Sequence, residues 1–246
     1  QGLMQLRDIH GTMSRVSQGT LDEVDLFELK RFLLLLRSIA ADFEELNERA
    51  GFEGYALHDL PEALSVLDPE DSGNPSFFLR SQWSKPLAAA REDKATLEKR
   101  IALATGQERE TLLTGRAQAV AREAEAEAAL CEALSQRLRP FGSAMAARLD
   151  TLGKLDLLFA KASLARELGG VMPTLTEKEL SFVNMVHPAI AESLKAQGAL
   201  FTPLSLSLVP GTAALTGANM GGKSVCLKTL ALNVYLVHCG LFPLAE

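Results

Sequence analysis

Eight consecutive residues near the end of the chain have the types and the spacing of a phosphate-binding loop. They read GANMGGKS and satisfy the pattern G-x-x-x-x-G-K-[ST]. Glycines let backbone N–H groups converge on phosphate oxygens, and a following helix adds the positive end of its dipole. Lysine places a cation near the outer phosphates, and serine offers a hydroxyl to Mg²⁺. The predicted binding residues are Gly217, Ala218, Asn219, Met220, Gly221, Gly222, Lys223 and Ser224, with Ser224 as the Mg²⁺ ligand.

The predicted surroundings of this loop match what the motif needs. Short apolar or alternating runs predict strands over 180–186, 204–209 and 212–216, and the residues after Ser224 have a helical pattern. The loop then lies between a strand and a helix. A glycine turn that precedes a lysine by chance is the alternative, and the flanking elements favour a site for ATP or ADP with Mg²⁺.

Hydrolysis requires groups beyond the loop. A P-loop enzyme also needs a strand-end carboxylate for Mg²⁺ and a group that orients water. Glu246 is the only acidic residue after Ser224. We therefore predict no turnover by this chain and assign no catalytic residue within it, while a longer protein with the full set of groups is predicted to be an ATPase.

The elements that must position the loop are mainly helical. A first long helix is predicted over Thr20 to Ala50, with a capping box of Thr20 and Glu23 and a stop at Gly51. Its apolar residues recur near helical spacing. The candidate core residues of this helix are Leu21, Val24, Leu29, Phe32 and Leu36.

Two further long helices are predicted over Ser84 to Ala104 and Gln107 to Arg139. Because the link between them is short, they should pair as an antiparallel arm. A helix over Ser143 to Leu168 follows and ends at Gly169 and Gly170. Its candidate core residues are Leu149, Leu152, Leu155, Phe159 and Leu164.

The helical pattern changes near Val171, which predicts two domains, 1–170 and 171–246. The fold class is therefore mainly α with a partial α/β portion. The net charge is −6, and the part from Val171 onward holds four lysines against four glutamates, so the net negative charge lies in the helical part. Acidic helices do not attract phosphate backbones, which counts against non-specific binding of DNA.

Cysteine usage and hydropathy predict the compartment. The three cysteines form no C-x-x-C pair, which favours reduced thiols in a cytoplasmic protein. No signal-peptide pattern occurs at the start, and no apolar run is long enough to span a bilayer, so no membrane partner is predicted. A start at Gln1 and an end at Glu246 indicate a fragment of a larger protein.

The loop and the residues after it resemble one family. TGANMGGKS followed by LKTLALNVYLVHCGLFPLAE is similar to the MutS family ATPases, whose loop reads T-G-P-N-M-x-G-K-S and whose next helix leads to G-x-F-x-P-A. The resemblance extends upstream through 155–169 and through VHPAI at 186–190. The residues within the family pattern are Asn219, Met220, Gly240, Phe242, Pro243 and Ala245.

This resemblance implies a homodimeric ATPase whose long helices couple the nucleotide site to a distant binding region. Residues 1–170 then resemble the family's helical core and lever, and 171–246 the N-terminal, incomplete part of its ATPase domain. Phe201 resembles the aromatic residue that stacks on adenine, although a phenylalanine at a strand start is as often a core residue. His187 marks a family position, with a structural turn histidine as the alternative.

Two functions from different classes stay open on the resemblance. One is DNA mismatch repair or recombination-type DNA processing, with DNA as a partner of the full-length protein that the charge does not favour. The other is ATP-driven remodelling or reactivation of a protein client, as in lysine aminomutase reactivation. DNA-gripping members insert a clamp between the lever helices, yet 104–115 leaves room for little more than a turn. A third reading is a helical dimerisation module.

Overall fold

A computed structural model of the protein describes residues 2–51, 55–218 and 221–246. The chain is mainly helical and carries a small antiparallel sheet. The helices are α1 (His10–Gln18), α2 (Glu23–Ala50), α3 (Pro61–Leu67), α4 (Lys85–Ile101), α5 (Gly106–Leu138), α6 (Gly142–Leu168), α7 (Pro188–Ala196) and α8 (Lys223–His238). The strands are β1 (Leu180–Met185) and β2 (Leu204–Leu208).

The chain divides into two compact units, Gln1–Lys154 and Leu155–Glu246. The division falls inside α6 rather than at its end. The domain boundary expected near Val171 stays a prediction. A compact unit is defined by contacts within the chain, and this does not identify a P-loop ATPase domain.

Helix α2 is capped differently from the prediction. The Asp22 side chain accepts a hydrogen bond from Asp25 N at 2.8 Å, and Asp25 Oδ2 accepts one from Asp22 N at 3.2 Å. This is a capping box two residues after the predicted one. The Thr20 and Glu23 box was wrong because Thr20 N donates to Arg15 O, so Thr20 closes the end of α1.

The buried face of α2 forms the centre of the first unit. Of the five predicted core residues, three in α2 and Leu21 just before it are buried, whereas Val24 is 65% exposed. Val24 lies five positions before Leu29, which turns it about 140° around the helix from the buried face. The prediction for Val24 was therefore wrong. Residues of this unit that are almost fully buried include Leu26, Leu29, Leu33, Leu36, Leu67, Leu87, Leu138 and Met145.

Helices α4 and α5 pair as the predicted antiparallel arm. The Ser84 hydroxyl caps α4 by accepting from Leu87 N at 3.4 Å, and residues 102–105 link the two helices. Ion pairs across the arm join residues early in α4 to residues late in α5, such as Arg91 to Glu127 at 2.8 Å. Small buried residues, Ala90, Ala119 and Ala126, let the two helices approach closely.

Helix α6 ends where the glycine pair predicts, and Gly169 has φ +70°. Leu149, Leu152 and Leu155 are buried as predicted, whereas Leu164 is 39% exposed. The apolar stripe therefore covers the first part of α6 and not its last turns. Phe159 is half-buried.

Three short helices, α1, α3 and α7, were not predicted. Each has seven to nine residues. Two turns of helix repeat a 3.6-residue pattern too few times to distinguish it from a loop, and helices this short depend on tertiary packing. In α3, for example, Ala63, Leu64, Val66 and Leu67 are all buried.

The second unit holds the sheet. Strands β1 and β2 pair antiparallel, with Leu180 opposite Leu208 and Phe182 opposite Leu206, and the ladder is irregular between Phe182 and Met185. In β2 the leucines are half-buried and the serines exposed, as strict alternation predicts. No helix in the described part of the chain combines the length and apolarity that crossing a bilayer needs.

Candidate phosphate-binding site

The predicted strand at 212–216 does not form, which changes the surroundings of the candidate loop. These residues lie between β2 and the loop without secondary structure and are exposed. A strand requires hydrogen bonds to a neighbouring strand, and β1 and β2 pair with each other. The prediction of a strand directly before the loop was therefore wrong, and the P-loop domain of residues 171–246 stays a proposal.

The loop enters helix α8 through glycines in the left-handed region. Gly222 is the N-cap of α8 and has φ +76°, and Gly217 has φ +154°. Residues with a β-carbon rarely adopt these angles. The glycines at both ends of the described motif therefore meet a backbone requirement, as the sequence predicts.

Lys223 reaches back over the loop from the first position of α8. Its Nζ donates to Gly217 O and to Ala218 O, each at 2.6 Å. Gly221 N donates to the same Ala218 carbonyl at 3.1 Å, and a β-carbon on Gly221 would lie 3.0 Å from that oxygen. The ammonium and the carbonyl oxygens thus close a tight turn in which Gly221 has no room for a side chain.

The remaining predicted residues differ in what the structure says of them. Ser224 is the second residue of α8 and is exposed to solvent. Asn219 and Met220 lie outside the described residues. Phe201 precedes β2, is half-buried and belongs to the same compact unit as the loop. Its contact with adenine stays a prediction.

His187 lies at the junction between β1 and α7. It is the N-cap residue of α7, with Pro188 in the first turn, and its side chain makes no capping hydrogen bond. Its Nδ1 atom is buried and has no hydrogen-bond partner within the described residues. The structural role of His187 is thus that of a residue at the turn between β1 and α7.

Sequence reasoning missed Asn233, whose side chain joins three segments of the second unit. Asn233 lies in α8 and is fully buried. Its Nδ2 donates to Val186 O at 3.2 Å and to Thr229 O at 2.9 Å, and its Oδ1 accepts from Leu244 N at 2.6 Å. A polar residue within the apolar run of α8 was the available signal.

The chain after α8 is held against β1 and α6. Val186 N donates to Leu244 O at 2.8 Å, and Glu246 N donates to Val183 O at 2.8 Å. Lys161 Nζ donates to Cys239 O at 2.9 Å, which places a cation at the negative end of α8. These bonds fix the C-terminal end of α8 within the second unit.

A metal ion finds few protein ligands here. Over 2–51, 55–218 and 221–246, no three histidine, cysteine, aspartate or glutamate side chains are grouped so that they could hold one. The exposed Ser224 hydroxyl is a single oxygen donor at the start of α8. Mg²⁺ commonly takes one or two protein oxygens and fills its shell with phosphate oxygens and water. The donor set fits a metal that arrives with a phosphate ligand.

The chain is similar to proteins named Endonuclease MutS2. No protein-family model matches the chain. It is 39% identical to Endonuclease MutS2 of Thermus thermophilus over 98 residues, which is 40% of this chain and 12% of that protein. Endonuclease MutS2 proteins of Streptococcus suis and Streptococcus gordonii are 33% and 32% identical over 118 residues, 48% of this chain and 14% of theirs.

The matched stretch thus spans a small part of the length of these relatives. Within that stretch, however, the chain is 32–39% identical to three proteins that share one name. They agree also with the family that the loop motif resembles. Through these matched residues, the chain is related to the MutS family.

Proposed function

We propose that this chain supplies the phosphate-binding part of the nucleotide site of a MutS-family ATPase. Residues 171–246 form the N-terminal part of its P-loop domain, and residues 1–170 form the helical core and the arm, with the clamp reduced or absent. The observation that carries the proposal is Lys223 at the start of α8, with its ammonium folded over the glycine-bounded loop.

Phosphate is bound first by backbone amides. Cys226 N donates to Gly222 O at 2.9 Å and opens the hydrogen-bond ladder of α8. The N–H groups of Lys223, Ser224 and Val225 precede that bond, and helix starts leave such groups without an intrahelical acceptor. Together with the helix dipole they favour an anion. The exposed loop leaves this end of α8 open to a nucleotide.

Lys223 supplies the charge by exchanging partners. Its ammonium is bonded to the carbonyl oxygens of Gly217 and Ala218. Phosphate oxygens carry formal charge and accept stronger hydrogen bonds than neutral carbonyls. The ammonium therefore moves from the loop carbonyls to the outer phosphates when ATP or ADP binds.

Two further residues complete the proposed site. Ser224 offers its hydroxyl to Mg²⁺, and the bound ion neutralises charge on the phosphates. Phe201 offers an aromatic face to adenine. Both roles follow from the family resemblance and are proposals for this chain.

The test is nucleotide binding by the full-length protein, measured by calorimetry with a non-hydrolysable ATP analogue and Mg²⁺. Lys223→Ala removes one charge-assisted contact and should raise the Kd by about 10- to 150-fold. Lys228→Ala is the matched control, because Lys228 is exposed on the same helix outside the motif. Its Kd should stay at the wild-type value. Equal affinities of wild type and Lys223→Ala would refute the assigned phosphate role.

For the whole protein we propose a cytoplasmic homodimer that acts in DNA repair or recombination-type DNA processing. The relatives are named endonucleases, and that name supports a nucleic-acid substrate. The nucleotide site and the DNA substrate are separate parts of the proposal and need separate tests.

DNA binding is tested with linear and branched duplexes at increasing salt. Contacts to phosphates release counterions, so the binding constant should fall steeply as the salt concentration rises. If the full-length protein binds the ATP analogue and binds no duplex at low salt, the DNA proposal fails and a protein client replaces it.

A further inference from the structure

Asn233 lies in the second half of α8, away from the loop. Ten residues separate it from Lys223, which corresponds to about 15 Å along a helix. It is therefore too far from the loop to touch phosphate. Its side chain is nevertheless fully buried, and every one of its polar atoms has a partner on another residue.

The arrangement of those partners is that of an inserted peptide group. Val186 N donates directly to Leu244 O, so the backbones of β1 and of the segment after α8 are already adjacent. The second hydrogen bond of such a pair, from Leu244 N to Val186 O, is not made directly. Instead, the Asn233 amide lies between the two groups, donating to Val186 O and accepting from Leu244 N. One side chain of α8 thus completes a backbone ladder between two other segments.

The consequence for α8 is a fixed position along its own axis. Apolar burial alone specifies the position of a helix less sharply, because the hydrophobic effect is non-directional. Hydrogen bonds at 2.6 Å and 3.2 Å to two backbone groups are directional and define both height and rotation. Since a helix is stiff, the same constraint applies at its first residue.

We infer that Asn233 is a positioning residue for the phosphate-binding loop, acting through α8 on Lys223 and Ser224. The inference rests on the proposed function, because it assigns Asn233 a role in nucleotide affinity. His187 follows Val186, and its buried Nδ1 has no hydrogen-bond partner in the described part of the chain. The Asn233 bond to Val186 O holds that junction against α8.

The chain offers a matched control in Thr229. This residue is fully buried one turn before Asn233 on the same helix. Its hydroxyl donates to Val225 O at 2.7 Å, which lies within α8 itself. Thr229→Val therefore removes a buried hydrogen bond without cutting a link between segments.

The experiment measures two quantities in the full-length protein, the Kd for a non-hydrolysable ATP analogue with Mg²⁺ and the thermal midpoint. Asn233→Leu keeps the branched shape with somewhat larger end groups and removes the bonds to Val186 O and Leu244 N. We expect its Kd to rise about tenfold at a temperature where the protein is folded. Thr229→Val should keep its Kd within about twofold of wild type even if its midpoint falls. A wild-type Kd in folded Asn233→Leu would overturn the inference.

A second variant guards against a misfolded Asn233→Leu. Asn233→Asp has the same shape and keeps an acceptor for Leu244 N, but its ionised carboxylate cannot donate to Val186 O, so its Kd is measured at pH 8 and above. We expect its Kd to rise as well, and an unchanged Kd would overturn the inference. If neither wild type nor any variant binds the analogue, the proposed function has failed. If wild type binds and only Lys223→Ala loses affinity, the positioning role alone has failed.

Discussion

The Lys30 ammonium lies 3.2 Å from a carboxylate oxygen of Asp68, and both side chains are almost fully buried. Lys30 also donates to Ser76 O at 3.2 Å. Asp68 accepts from Ser72 Oγ at 2.7 Å and from Gly73 N at 2.9 Å. The Lys30–Asp68 pair therefore joins the first third of α2 to the turn-rich segment that follows α3.

Breaking the pair should destabilise the first unit strongly. Lys30→Met leaves the Asp68 carboxylate buried without its counter-ion, and we expect the free energy of unfolding to fall by about 3–5 kcal/mol in urea denaturation. Arg37→Ala is the matched control, because Arg37 pairs with Asp71 between the same helix and segment but in solvent. Its loss should stay below about 1 kcal/mol. Similar losses in both variants would contradict the prediction.

The same pair predicts a dependence of stability on pH. Burial of the Asp68 carboxyl opposes its ionisation, but hydrogen bonds from Ser72 and Gly73 and the charge of Lys30 outweigh burial and lower its pKa. A lowered pKa in the folded state gives stabilisation that is present above the unfolded pKa of about 3.9 and lost as pH falls through the folded value.

Denaturation at a series of acidic pH values checks this. The free energy of unfolding of the wild type should fall more than that of Asp68→Asn as the pH drops below about 4, because the asparagine side chain does not titrate. The other carboxylates titrate in both proteins and cancel in the comparison. Parallel curves for the two proteins would show that Asp68 has the same pKa in the folded and unfolded states, which would contradict the prediction.

Arg91 should be the most sensitive charged residue of the arm. Its guanidinium donates to Glu123 and Glu127 on α5 and also to Leu79 O at 2.7 Å. We expect Arg91→Ala to lower the free energy of unfolding by about 1–3 kcal/mol.

The control for Arg91 is Arg122→Ala. Arg122 makes one exposed ion pair, with Asp93 at 3.0 Å, and its removal should cost less than about 1 kcal/mol. Thermal or urea denaturation of the two variants ranks them. A larger loss for Arg122→Ala would mean that the contacts of Arg91 are not what joins the two helices.

The cysteines should differ in reactivity. Burial raises the pKa of the Cys131 thiol to about 11, and the nearby carboxylates of Glu23, Asp22 and Glu127 add to the shift. Cys239 is exposed. Because the thiolate is the reactive form, a thiol reagent at pH 8 should label Cys239 much faster than Cys131. Cys239→Ser should abolish the fast phase and Cys131→Ser should leave it, and the reverse pattern would refute the assignment.

The long helices and the loop were predictable for a simple reason. Helices α4 and α5 repeat their pattern over many turns, and short-range chemistry marks their ends, such as the Ser84 cap. The glycines of the loop are likewise a local requirement, met at Gly217 and Gly222. Elements of two turns, α1, α3 and α7, gave too short a pattern to recognise.

The errors have a different origin. Thr20 and Glu23 fit a capping box in sequence, but the backbone of Thr20 is engaged at the end of α1. The motif calls for a strand over residues 212–216, but a strand exists only with a partner. In both cases local preference was overruled by which neighbour the chain brings close, and that is not encoded in the segment itself.

The sequence by itself determined the local features of this protein: helices where the period is long, a left-handed turn where glycine permits it, and a lysine at the first position of the helix that follows. Tertiary structure alone decided that Asn233 completes a ladder between Val186 and Leu244, and that Lys30 meets Asp68. The physical reason is that a side-chain amide or ammonium can pair with any polar group. Its partner is chosen by the fold, far away in the sequence.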